Sequence, residues 1–160
     1  RGGPIIDLET NKVVGSHKGI HTYTVGQRKG LGISSPEPLY VVKIDPAGHA
    51  LYVGPKHAAK MKEFIVGEIN WLIERAELPK CGSAAEGKSA DATSHLALFR
   101  ASVKVRSMMK DEPATLSLMP DGRVHVVYDE PQWAPAPGQS AVFYQGRIVL
   151  GGGVISEVIA

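Results

Sequence analysis

Short β-branched runs separated by tight turns fill the C-terminal part of this chain and limit the folds open to it. Two of the turns, at 119–122 and 145–146, carry the glycine that a positive φ angle favours. Apolar residues alternate along the runs, so that Val124, Val126 and Tyr128 share one face, as do Ala141 and Phe143. Six such runs predict a barrel or sandwich: 98–105, 114–118, 123–128, 140–144, 147–150 and 153–158.

The N-terminal part predicts a smaller β domain. Residues 5–7 and 12–14 indicate one hairpin, and 39–44 with 50–53 indicate a second around an Asp-Pro-Ala-Gly turn. The remaining predictions are a short strand at 21–25, a helical turn or two at 57–62 and a strand at 64–72 with a bulge at Gly67.

Two further segments set the predicted domain organisation. Residues 82–95 are mostly Ala, Ser, Gly, Lys and Asp, which predicts a mobile surface loop. Residues 131–137 contain three prolines and predict a crossing that cannot lie in a central strand. We place the boundary between two small domains near the strand at 64–72, which gives domains 1–66 and 67–160.

Charge is distributed unevenly along the chain. Residues 1–66 carry nine Lys and Arg against five Asp and Glu, whereas residues 67–160 carry nine against eleven. No acidic residue occurs between Thr10 and Pro36, while Lys12, Lys18, Arg28 and Lys29 do. An acid-free basic stretch is typical of a surface that meets a polyanion.

The centre of this stretch is a glycine-rich segment, residues 23–33, which reads Tyr-Thr-Val-Gly-Gln-Arg-Lys-Gly-Leu-Gly-Ile. It sets two cations and an amide among three glycines, and so predicts a loop that brings backbone and positive charge close to an anion. On the residues alone, a glycine-rich turn with solvated cations is an equal alternative.

No motif predicts a self-contained active site. Cys81 is the single cysteine, which excludes an internal disulfide and indicates a reducing compartment, and no histidine lies within ten residues to activate it. His17 and His21 have the spacing of helical metal ligands, but Gly19 between them and the lack of an acidic third ligand favour histidines on the surface of a strand. The glycines do not have the phosphate-loop spacing.

The largest side chains and the hydropathy add two expectations. Trp71 and Trp133 each follow a strand or a turn and are predicted to be core or interdomain plugs rather than base-stacking platforms. No apolar run approaches the roughly 18 residues that a membrane span needs, so we predict no membrane partner.

Three ordered blocks carry a family resemblance. They are residues 15–33, Gly-Ser-His-Lys-Gly-Ile-His followed by Thr-Tyr-Thr-Val-Gly-Gln-Arg-Lys-Gly-Leu-Gly-Ile; Asn70-Trp71-Leu72; and Pro-Gly-Gln-Ser-Ala-Val-Phe-Tyr at 137–144 with Leu-Gly-Gly-Gly-Val-Ile at 150–155. The chain resembles the C-terminal part of tRNA-specific 2-thiouridylases over nearly its whole length. The resemblance implies a mainly β fold, in which a small central β domain precedes a six-stranded antiparallel β-barrel similar to the second domain of elongation factors that carry aminoacyl-tRNA.

The resemblance also implies that the chemistry belongs to other parts of a parent enzyme. Such an enzyme uses ATP and Mg²⁺ in an N-terminal domain to adenylate C2 of the wobble uridine. A cysteine persulfide then delivers sulfur that comes from a sulfur-relay protein or a cysteine desulfurase. Cys81 matches neither family cysteine, so this chain is expected to be inactive alone, with no catalytic residue, metal ligand or cofactor of its own. The expected location is the bacterial cytoplasm or a mitochondrial or plastid matrix.

The family's tRNA contacts in the barrel, carried over by position, fall on Arg106, its neighbour Ser107 and Gln139. Arginine can pair with phosphate in a bidentate manner, and glutamine can both donate and accept at a sugar or base edge. The family usually has Tyr at position 107, so a stacking contact is not expected from Ser107.

The preferred hypothesis is a non-catalytic tRNA-binding region, in which the basic loop around Gln27, Arg28 and Lys29 holds RNA backbone. One alternative is an interdomain scaffold whose loop braces the catalytic domain without touching RNA. Another is a free-standing barrel that binds ribosomal RNA, which the −2 charge of residues 67–160 disfavours.

Overall fold

The computed structural model describes residues 2–74, 77–78 and 98–159. Within these residues the chain is mainly β, with two short 3-10 helices and no α-helix. The helices are Ile20–Thr22 and Lys56–Ala59. The strands are β1 Gly3–Asp7, β2 Val13–His17, β3 Tyr40–Asp45, β4 Ala50–Gly54, β5 Lys60–Trp71, β6 Leu98–Lys104, β7 Glu112–Leu118, β8 Val124–Trp133, β9 Ser140–Gln145 and β10 Ile148–Ile159.

The strands form two compact units. The first contains the described residues up to Met61 together with Gln132–Ala134, and the second contains the described remainder. The division therefore falls after Met61, whereas the sequence placed it after residue 66. The difference arises because β5 begins at Lys60, before the β-branched run at 64–72 that marked it in the sequence, so residue 66 lies inside the strand.

A four-stranded sheet in the order β2-β1-β4-β3 builds the first unit. Both predicted hairpins are confirmed, since β1 pairs antiparallel with β2 and β3 pairs antiparallel with β4. The two hairpins join through a parallel pairing of β1 with β4. The apolar side chains of these strands form one core, whose fully buried members are Ile5, Val41, Leu51 and Val53.

Two local predictions for the first unit are wrong or only partly right. Residues 21–25 do not form a strand, because the chain turns through the 3-10 helix Ile20–Thr22, where the Tyr23 amide donates to the Ile20 carbonyl. The helical turns predicted at 57–62 reduce to the single 3-10 turn Lys56–Ala59, after which β5 begins.

His17 is not on the surface, contrary to the sequence-based expectation. It is 3% exposed at the end of β2, and its Nε2 donates to the carbonyl oxygen of His49 at 2.9 Å. His21, by contrast, is exposed. His17 therefore links β2 to the turn before β4. Among the described residues, no group of three His, Cys, Asp or Glu side chains is placed to hold a metal ion.

The second unit is a closed six-stranded antiparallel barrel in the order β10-β5-β8-β7-β6-β9. The predicted barrel and its strand number are confirmed, although the six strands are not the six predicted runs. The runs at 147–150 and 153–158 form one strand, β10, and β5 supplies the sixth. The predicted crossing at 131–137 is partly wrong as well, since β8 continues through Pro131 to Trp133.

The barrel strand β5 has a bulge at Gly67, where the sequence placed one. Between Gly67 and Asn70, β5 advances three residues while β10 advances two, from Val154 to Gly152. Opposite β9, β10 carries an extra residue between Val149 and Gly151. The predicted bulge at Gly67 is therefore confirmed, and β10 carries a second irregularity beside the glycine triplet 151–153. Such bulges allow a sheet to curve into a barrel.

The barrel interior holds the predicted core faces. Val124, Val126, Ala141 and Phe143 are all fully buried. Tyr128 is also buried, and its hydroxyl donates to the Val103 carbonyl at 3.1 Å. Burial, with a smaller contribution from the charge of Glu112, raises the pKa of Tyr128, so the phenol remains a protonated donor.

The two tryptophans lie in different units. Trp71 packs against the barrel core, with its ring centroid 6.2 Å from that of Phe99 and 5.9 Å from that of Phe143. Trp133 meets Tyr40 edge to face at 5.2 Å in the first unit. Both rings make packing contacts, as expected for plugs rather than stacking platforms.

Two predictions fall on residues outside the described ranges, namely the mobile loop at 82–95 and the position of Cys81. Within those ranges, neither short helix has the length and apolar character to cross a bilayer.

Candidate nucleic-acid interface

The basic glycine-rich loop begins with a hydrogen-bonded turn over residues 24–27. The Gln27 amide donates to the Thr24 carbonyl at 3.0 Å, and Gly26 adopts a φ of +89° at the third position. A type II turn requires positive φ at this position, which glycine reaches without strain. The Gln27 side chain braces the turn, because its Oε1 accepts from the Thr24 amide at 3.0 Å and its Nε2 donates to the Lys29 carbonyl at 2.9 Å.

This turn is bonded to the outer edge of β3. The Gly26 amide donates to the Val41 carbonyl at 2.7 Å, and the Val41 amide donates to the Gln27 carbonyl at 2.9 Å. A Cβ on Gly26 would lie 3.0 Å from the Ala134 Cβ and 3.1 Å from the Trp133 Nε1, so the position has little room for a side chain. The loop is therefore held in place where it leaves the turn.

Arg28 and Lys29 follow this fixed turn, and both are exposed. Arg28 lines the rim of a polar depression of about 320 Å³, together with Gly30, Gly32 and Ser35. Glu37, on the same rim, is the first acidic residue after Glu9. The loop thus presents two adjacent cations from a braced backbone, and this geometry suits contact with an anionic surface.

Arg106 and Ser107 lie on the turn that follows β6. The Met109 amide donates to the Arg106 carbonyl at 3.1 Å, which closes a β-turn with Ser107 and Met108 at its centre. Ser107 is exposed, and Arg106 is half-buried. Partial burial lowers the pKa of Arg106, but a guanidinium remains protonated in proteins, so the position carries a full positive charge with reduced hydration.

Gln139 lies in a turn built like the one at Gln27. The backbone amide of Gln139 donates to the Ala136 carbonyl at 3.2 Å, and its side-chain Oε1 accepts from the Ala136 backbone amide at 3.1 Å. Gly138, directly before it, has a φ of +86°. The Gln139 carbonyl also accepts from the Ile155 amide of β10 at 2.8 Å. In both turns a glycine is followed by a glutamine, and the side-chain carbonyl oxygen of the glutamine accepts a hydrogen bond from a backbone amide of the same turn.

Strand pairing brings Arg106 and Gln139 to the same end of the barrel. β6 ends at Lys104, which pairs with Val142 of β9 in an antiparallel ladder. Arg106 follows the end of β6 by two residues, and Gln139 directly precedes the start of β9 at Ser140. Three of the predicted contact residues, Arg106, Ser107 and Gln139, therefore lie at one end of the barrel, whereas Gln27, Arg28 and Lys29 belong to the first unit.

Two other barrel arginines are bound within the protein, which the sequence did not predict. Arg100 of β6 holds Asp129 of β8 through two bonds of 2.6 and 2.5 Å, and this pairing lowers the pKa of Asp129. Arg123 bonds Asp121 across the 119–122 turn at 2.7 Å. These pairs join residues that are distant in sequence or lie in one turn, and their ionic groups are directed to each other rather than to a ligand.

Comparisons with known protein families divide the chain close to the boundary between the two compact units. A model described as the tRNA methyl transferase PRC-barrel domain matches residues 1–55, and one described as the aminomethyltransferase beta-barrel domain matches residues 61–155. Many curated proteins are also similar. Among them are proteins named tRNA-specific 2-thiouridylase MnmA from a Nostoc species, from Microcystis aeruginosa and from Chloroflexus aggregans, at 41%, 42% and 44% identity.

These three alignments cover 96–97% of this chain and 38–39% of each relative. The chain thus spans about two fifths of the length of the curated relatives it matches.

Proposed function

The chain belongs to the tRNA-specific 2-thiouridylase family, and we propose that it is the non-catalytic, tRNA-binding region of a tRNA uridine 2-sulfurtransferase. The observation that carries the proposal is the barrel end at which Arg106 and Ser107 lie beside the turn of Gln139. A half-buried guanidinium on a closed turn suits one phosphate, because the charge is prepositioned and part of its hydration is already removed.

The basic loop supplies a second contact of the same kind. Arg28 and Lys29 are exposed cations directly after a turn that is bonded to β3, and no acidic residue lies within the eighteen residues before Arg28. In this proposal they hold RNA backbone, which positions the tRNA without reading its sequence. Gln27 and Gln139 act mainly by shaping the loops, since their side-chain amides already bond the turns that contain them.

The reaction itself is assigned to parts of the parent enzyme outside this chain. The glycine-rich loop lacks the Lys-Ser or Lys-Thr pair of a phosphate-binding loop, and no cluster of three potential metal ligands is found among the described residues. In the proposed parent enzyme, ATP activation and sulfur transfer take place on another domain, and the sulfur comes from a relay protein or a cysteine desulfurase. The proposed location is the compartment where tRNA is modified, the bacterial cytoplasm or an organelle matrix.

Replacing Arg106 tests the proposal. We expect Arg106→Ala to weaken tRNA binding by the 160-residue chain roughly tenfold at low salt, the magnitude of one charged hydrogen bond. The slope of log Kd against log salt should fall by about one unit, because one fewer phosphate is neutralised. Fluorescence anisotropy with labelled wobble-uridine tRNA measures both quantities.

Arg147→Ala is the matched control. Arg147 is equally a barrel arginine, but it is exposed at the β9–β10 hairpin, at the opposite end of the barrel from Arg106. Its removal should change affinity and slope much less. Equal losses in the two variants would mean that binding reflects overall charge, and the assignment of the Arg106 end would be wrong.

A further inference from the structure

Met108 is the most exposed large apolar side chain among the described residues. It is 96% exposed, whereas the next, Val13, is 67% exposed. The side chain therefore gains almost nothing from packing within the protein. Turn chemistry does not account for it either, because the centre of a β-turn favours small polar residues, glycine or proline.

The charges around Met108 indicate what kind of partner it meets. Lys104, Arg106 and Lys110 lie within four residues of it in the sequence, and so do Asp111 and Glu112, which leaves this segment with a net positive charge. An exposed apolar side chain in a segment of net positive charge matches a polyanion that also offers apolar faces, and nucleic acid has this combination in its phosphates and its bases.

The turn holds Met108 outward at a fixed place. Its closing bond joins the Met109 amide to the Arg106 carbonyl, so Met108 projects next to the residue proposed to bind phosphate. Methionine is unbranched and polarisable, and it can fit against surfaces of irregular shape. Apolar side chains of this type are used by nucleic-acid-binding proteins as wedges against base steps.

We propose that Met108 packs against an unpaired base in a single-stranded region of the tRNA, and so adds a contact that does not depend on charge. This inference rests on the proposed tRNA-binding function and deepens it. Unstacked bases in loops are available for such contacts, whereas bases inside an A-form duplex are not. The contact would make the Arg106 end prefer a folded tRNA with loops over duplex RNA.

The test compares Met108→Ala with the unsubstituted chain across a series of salt concentrations. We expect the variant to bind tRNA about fivefold more weakly at every salt concentration, as the loss of partly buried apolar area predicts. The slope of log Kd against log salt should stay unchanged, since no phosphate contact is lost. Met108→Leu should retain most of the affinity because it keeps the apolar volume.

Ile148→Ala is the matched control for exposed apolar area. Ile148 is 60% exposed at the opposite end of the barrel, and its removal should leave tRNA affinity unchanged. Duplex RNA of equal charge provides the second control. Met108→Ala should not affect its weaker binding, because it offers no splayed base.

Each alternative outcome has one meaning. If the unsubstituted chain binds tRNA and Met108→Ala binds equally well, the inference is overturned and the proposed function stands. If the unsubstituted chain binds no tRNA at low salt, the proposed function fails and the inference fails with it. If Met108→Ala instead weakens cosedimentation with anionic phospholipid vesicles and leaves tRNA binding intact, the tip meets a membrane surface and the inference is wrong.

Discussion

The Gly153→Ala variant should lose roughly 3 kcal/mol or more of the barrel's free energy of unfolding. A Cβ at this position would overlap the carbonyl oxygen of Gly67 and come within 2.9 Å of the Ile69 Cδ1 and 3.0 Å of the Val66 Cγ1. Overpacking costs about 1–3 kcal/mol where side chains can move. Here the obstacle is backbone of the paired strand β5, so relief requires breaking the β5–β10 ladder at its bulge. Urea denaturation followed by circular dichroism measures the loss.

Gly67→Ala is the control for this variant, because Gly67 lies across the same bulge. A Cβ there would meet only the Arg123 side chain at 3.9 Å and the Ser156 Cβ at 4.0 Å, which are ordinary contacts. Its stability should remain within about 1 kcal/mol of the parent. If Gly153→Ala proved as stable as Gly67→Ala, the close approach of β10 to β5 at Gly153 would be refuted.

Phe143→Ala should destabilise the barrel by about 3–5 kcal/mol, the cost of emptying a fully buried aromatic site. The ring lies on β9, which pairs with both β6 and β10, and it packs 5.9 Å from the ring of Trp71 on β5. Its removal therefore leaves a cavity in the barrel core beside the ring of Trp71. A lower urea midpoint and a changed environment of Trp71, seen in near-ultraviolet circular dichroism, are the expected results.

Phe143→Leu separates the cavity from the loss of aromaticity. Leucine keeps most of the apolar volume, so it should cost less than half as much as alanine. Equal destabilisation by the two substitutions would indicate that volume at this site matters little, contrary to a closely packed barrel interior.

The strands were predictable from sequence where a local pattern fixed them. The turns at 119–122 and 145–146 have the right glycine chemistry, and the alternation of Val124, Val126 and Tyr128 selects the buried face. The pattern did not predict that two neighbouring runs form a single continuous strand. The glycine triplet at 151–153 interrupts the apolar run, yet β10 continues through it, because neighbouring strands on both sides satisfy its backbone hydrogen bonds.

The sequence indicates which charged residues belong to the candidate site, but it does not indicate the hydrogen bonds that hold the turns around them. Arg28 and Lys29 stand out as cations among glycines, and the structure leaves both exposed. The sequence did not reveal that Gln27 and Gln139 bond their own turns, although each directly follows a glycine, which was the available signal. His17 was misjudged because its partner, the His49 carbonyl, is 32 residues away and no local pattern encodes that contact.

The proposed recognition of tRNA by this chain can be tested in a single titration. The 160-residue chain is added to labelled wobble-uridine tRNA at two salt concentrations, with a duplex RNA of equal charge as the comparison. We predict that the chain binds tRNA more tightly than the duplex and that affinity falls at the higher salt concentration. Absence of tRNA binding at the lower salt concentration would contradict the claim and would favour a region that only braces the catalytic domain.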